Sequence, residues 1–230
     1  MTVMDQPQAG LVSDQRGAIR AGGVVLALGA AGVVATSVLY GVSPPAAAMP
    51  LVPADLAAAL AGAIRGATTM HLAGLIGVFG DVLVAAAALL FGQHEVARGR
   101  GIAAMGWFLI AISTVLFAVV DSIVGYALSQ SARQAPAAFP ATKNLFDALF
   151  LLGTATFGLG AVLALATSRT HGLGRLLALL AVAAGAVALL DGALGLCGVG
   201  IPPHLLGAGI AGGSLVFTLI GIRLAAVGRL

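Results

Sequence analysis

GIAAMGWFLIAISTVLFAVVDSIVGYAL, residues 101–128, carries a single charged side chain, Asp121, and that run decides the fold. At a rise of about 1.5 Å per residue, a helix of this length crosses the roughly 30 Å hydrocarbon layer of a bilayer. It shows no strand-length alternation, whereas a membrane barrel is built from alternating segments of about ten residues. The same reading applies to residues 21–42, 69–91, 145–166, 173–197 and 205–227. A lipid-embedded backbone must satisfy its own hydrogen bonds, so these segments predict an all-α class: one polytopic transmembrane bundle of six spans.

The remainder of the chain agrees. Of its 230 residues 60% are hydrophobic and only 8% charged, with a mean hydropathy of +1.10, whereas soluble domains carry about a quarter charged residues. The main expected partner is therefore the lipid bilayer. The pI of about 9.8 comes from an excess of only +3, with basic residues scattered singly, which argues against nucleic acid. Cys197 is the only cysteine, so neither a disulfide framework nor a dithiol redox motif is available. Residues 1–20 read as a polar tail and 21–230 as a single domain. The first apolar run exceeds the 7–15 residues of a signal-peptide core and reads as a retained span, although Ala46, Ala47 and Ala48 imitate a cleavage site.

Basic residues set the orientation. Arg16, Arg20, Arg98, Arg100, Arg169, Arg175, Arg223 and Arg229 fall on one side, against Arg65, Arg133 and Lys143 on the other. By the positive-inside rule this places both termini in the cytoplasm and the protein in a plasma (inner) membrane. The longest connection, residues 43–68, lies outside. It contains Pro44 and Pro45 and then an alanine-rich stretch in which Asp55 suits the amino end of a short interfacial helix. A lid over an outward cavity is the alternative reading of the same loop.

Four of the eight acidic residues fall inside spans: Asp81, Asp121, Asp147 and Asp191, on spans two to five. A carboxylate at the bilayer centre costs about 2.5–3.5 kcal/mol on insertion scales, so such groups turn toward the bundle interior and find partners there. Counting from the span ends puts Asp121 about 10 Å and Asp191 about 9 Å below the outer surface, Asp147 at the outer rim and Asp81 about 18 Å deep. His71 and His204 stand at the outer rims of spans two and six. Lys143 lies one turn from Asp147 and suits a local ion pair. Asp81, Asp121 and Asp191 have no nearby cation in sequence and read as ligand- or ion-binding candidates, with Asp147 and His71 beside them. His71 and His204 with these carboxylates form the weak metal reading, since no H-E-x-x-H spacing occurs. Neither haem-type histidines nor a G-x-S-x-G elbow is present, and no cofactor is expected.

Short likenesses link residues 118–125 with 188–195 and Phe79-Gly80-Asp81 with Phe146-Asp147, which suggest a repeated helical hairpin. Arg20-Ala21-Gly22, Gly80-Asp81-Val82-Leu83, Phe157-Gly158-Leu159, Leu173-Gly174-Arg175-Leu176-Leu177 and Leu190-Asp191 occur in an order that resembles a bacterial family of six-span membrane proteins of unknown function. The resemblance implies a fold and a membrane location without a reaction. Three function classes remain. The first is an outward-facing acidic cavity, lined by Asp81, Asp121 and Asp191, that binds or passes a cation, proton or small polar solute. The second is a structural or accessory subunit whose small-residue faces dock another membrane protein or a second copy. The third is a metal-dependent membrane hydrolase.

Overall fold

The computed structural model describes residues 6–50, 55–168 and 170–228, with side chains from residue 16 onward except at 203, 204 and 208. Arg169, Arg229 and the side chain of His204 therefore lie outside the described residues. The elements are α1 (Gln6–Gly41), α2 (Pro45–Ala48), α3 (Leu56–Arg65), α4 (Ala67–Ala97), α5 (Gly101–Ser122), a π-helical segment (Ile123–Leu128), α6 (Ser129–Gln134), α7 (Phe139–Ala166), α8 (Leu173–Leu196) and α9 (Pro203–Val227). Among the described residues there is no strand, and six helical rods are long and apolar enough to cross a membrane. The protein is an all-α, multi-pass membrane bundle.

Backbone chemistry, rather than loss of hydrophobicity, ends the rods. Pro44 and Pro45 follow α1, Gly99 (φ 69°) separates α4 from α5, Pro136 follows α6, and Gly172 (φ 59°) precedes α8. Helix continues through polar sequence wherever no such breaker intervenes. Hence α1 extends back to Gln6, where the sequence suggests a separate tail, and the third rod runs to Gln134, six residues past the expected end at 128.

The six rods form a closed ring in chain order. α1 packs on α4, α4 on α5, α5 on α7, α7 on α8, α8 on α9, and α9 returns to α1. Small residues set the close seams: Gly29 and Gly80 between α1 and α4, Gly106 and Gly160 between α5 and α7, Gly158 and Gly185 between α7 and α8, Gly23 and Gly221 between α1 and α9. Large apolar side chains such as Phe79, Leu152, Leu180 and Ile222 point outward, as a lipid-facing surface requires. Gly228 abuts Arg16 and Arg20, so both ends of the ring-forming chain share one face, called here the terminal face.

The opposite, loop face carries a cap. Asp55 accepts from the Ala58 N–H at 2.9 Å and starts α3, which packs on α2. Residues 47–50 are buried. Lys143, itself almost wholly buried, donates from Nζ to the Met49 carbonyl at 3.0 Å and pairs with Asp147. Arg133 donates to the Ile64 carbonyl at 3.2 Å and ties α3 to the third rod.

Candidate functional site

Inside the ring, below the cap, lies a cavity of about 50 Å³. Its lining comes from α1, α4, α5, α7 and α9, and Met49 of the cap also faces it. Two carboxyl groups meet there. Asp81 of α4 and Asp121 of α5 are both buried, and both line the cavity. Tyr40, at the loop-face end of α1, donates its hydroxyl to Asp121 Oδ1. Asp81 Oδ2 is buried with no hydrogen-bond partner among the described residues.

Local backbone makes this convergence possible. Asp121 sits two residues before the π-helical segment, whose wider turn interrupts the regular ladder, a distortion frequent at functional sites. His71 addresses that distortion: its Nδ1 lies 3.0 Å from the Gly125 carbonyl, which can only accept, so Nδ1 is the donor. On the facing helix Gly77 leaves the space that the Asp121 carboxyl fills, since a Cβ there would fall on the carboxyl itself. One turn away, a Cβ at Gly74 would stand 2.6 Å from the Gly125 Cα. A two-glycine gap in α4 thus admits both the carboxyl and the π turn of its neighbour.

Proton counting constrains the pair. Two ionised carboxylates only accept, so the pair can share a hydrogen bond only when one of them carries a proton. Three of the lining hydroxyls are committed elsewhere as donors: Thr36 to the Ala73 carbonyl at 3.2 Å, Ser37 to Val33 at 2.9 Å, and Thr114 to Ile110 at 3.0 Å. They turn lone pairs toward the cavity. No lysine, arginine or histidine lines it among the described residues, so the site offers oxygen acceptors to whatever enters.

Toward the terminal face the cavity ends on aromatic rings. Phe157 and Phe217 line it with centroids 5.5 Å apart, and Phe217 meets Trp107 at 5.9 Å. Trp107 in turn packs on Phe91 at 5.0 Å, and these two line a second, larger vestibule of about 990 Å³ open at the terminal face. An aromatic septum thus separates two spaces along the ring.

The other sequence candidates lie elsewhere. Asp191 is on α8, which contributes nothing to the cavity lining among the described residues; its Oδ2 is buried with no partner among them, and it stands apart from the pair. Asp147 belongs to the cap-holding ion pair with Lys143. His71 supports the π turn and is exposed on its other side. Among the described residues no three His, Cys, Asp or Glu side chains gather as a metal-ligand group. The depths inferred by counting also change: the third rod continues past residue 128, and Asp121 stands beside Gly77, one turn of α4 from Asp81. Tyr40 and Gly77 escape the sequence reading, one as a residue at a span end and the other as one glycine among 33.

No family model, curated protein or solved structure matches the chain.

Proposed function

We propose that this membrane protein takes up and releases a proton, or a small cation in its place, at the Asp81–Asp121 pair, reached from the loop face. The reading also takes that face as extracytoplasmic, as the distribution of basic residues suggests. The observation that carries it is the meeting of two buried carboxyl groups and a tyrosine hydroxyl on one cavity, with Asp81 Oδ2 left unpaired. In a low-dielectric ring such a pair holds a proton in place of a second negative charge, and a bound cation neutralises it equally well. Size narrows the cargo. A water needs about 10–15 Å³ of such space, so about 50 Å³ admits a few waters or a small ion and excludes a larger polar solute.

The cap and the septum suit this role, because a site exchanging ions across a bilayer must not open to both faces at once. The small-residue faces that an accessory subunit would offer to a partner close the ring's own seams here.

The test is thermal unfolding of the purified protein over a range of pH and of added Na⁺ or Li⁺. Unfolding of the wild type is expected to depend on both. In an Asp81→Asn, Asp121→Asn variant an amide N–H replaces the shared proton, so the fold is expected to persist and both dependences to disappear. A variant that keeps the wild-type dependence on pH and cation removes the proposal.

A further inference from the structure

The vestibule at the terminal face plays no part in that proposal, and its polar lining has a donor surplus. Among the described residues, Arg98, Arg100 and Arg223 face it against a single carboxylate, Glu95. Glu95 is occupied in part: Oε1 accepts from Arg100 at 3.4 Å, Oε2 faces Arg100 Nε at 3.1 Å as an ion pair without a hydrogen bond, and Arg98 stands 3.8 Å away. Arg100 is also occupied, since its remaining nitrogen donates to the Thr167 carbonyl at 3.3 Å. Two other groups are not. Arg223 Nε and the Thr170 hydroxyl are both buried with no hydrogen-bond partner among the described residues, and both line this vestibule. Both can donate, and what they lack is an acceptor.

We infer that the vestibule is a binding site for a phosphate group, carried by an anionic lipid head or by a free phosphate ester. A phosphate presents several acceptor oxygens to planar guanidinium forks, and its charge offsets the positive excess that Glu95 leaves. The volume, about 990 Å³, is at the upper end of small-molecule sites, which run to about 1,000 Å³. Its place suits either source. Basic pockets between the ends of membrane helices hold lipid head groups, and the aromatic wall of Phe91 and Trp107 offers an apolar surface to the rest of the ligand.

Trp107 is the only tryptophan in the chain, so its fluorescence reports on the vestibule directly. The full-length protein is titrated with inorganic phosphate in a zwitterionic detergent and, in a second arm, with phosphatidylglycerol in phosphatidylcholine nanodiscs. Chloride at matched ionic strength controls for screening. A saturable change is expected in at least one arm: response to inorganic phosphate assigns a free phosphate ester, and response confined to phosphatidylglycerol assigns a lipid head. Arg223→Gln is expected to weaken binding about tenfold or more, as loss of a charged hydrogen bond does. Arg98→Gln, at an exposed position, is expected to weaken it roughly threefold and decides the matter if the first variant does not fold. No saturable response in either arm, a response equal to that of chloride, or folded variants that titrate like the wild type would each overturn the inference.

Discussion

Asp121 has two partners that differ in what their loss would do. Tyr40 lies 81 positions away in sequence and gives its hydroxyl to Asp121 Oδ1, so Tyr40→Phe leaves a buried carboxyl oxygen short of a donor. A cost of about 1–3 kcal/mol in unfolding free energy is expected, measured by denaturant titration in detergent. Asp121→Ala removes the acceptor and strands the Tyr40 hydroxyl; it is expected to cost at least as much, whereas Asp121→Asn keeps an acceptor and costs less. If the alanine and asparagine variants prove equally stable, Tyr40 does not bond Asp121 as described. At this scale the sequence is half informative. A carboxylate inside an apolar run is conspicuous because its insertion cost demands a reason. A tyrosine beside Gly-Val-Ser-Pro-Pro looks like a span end, and only the fold turns it inward.

Helix packing makes the pair possible, so substitutions that never touch a polar atom should disturb it. Gly77→Ala places a methyl where the Asp121 carboxyl sits, and overpacking of this kind costs about 1–3 kcal/mol. The expected signature is combined: lower stability together with loss of the cation dependence, which Gly41→Ala, in open space, leaves intact. The cap makes a separate prediction. Lys143→Met frees the Met49 carbonyl and leaves Asp147 without its cation, so a cysteine at Met49, in a chain with Cys197→Ser, should react with a water-soluble maleimide several-fold faster. Equal rates would mean that Lys143 does not hold the cap. Span positions were legible from hydropathy because the bilayer imposes a length on every crossing. Span ends were not, since proline and positive-φ glycine set them and polar sequence such as residues 129–134 stays helical. That error of six residues hides the approach of Asp121 to Asp81 across one cavity.

For the whole molecule, the ring in chain order explains why five rods share one central cavity while α8 stays out of it. Counting acids per span suggests Asp191 as a third member, and its own helix shows how far such counting reaches: depth follows from sequence, but rotation about the helix axis follows from packing. α8 turns Gly185 and Gly192 toward α7, and Asp191 goes with neither of the cavity carboxyls. Along the ring, capped cavity, aromatic septum and basic vestibule follow one another, and the carboxyl pair gives the first of these its chemistry. Infrared spectroscopy of the protein in deuterated buffer at neutral pH tests that chemistry most directly. A protonated, hydrogen-bonded carboxyl band is predicted in the wild type, lost when Asp81 and Asp121 are both replaced by asparagine. A wild-type spectrum without that band, or a band that survives the double replacement, would contradict the shared proton on which the account rests.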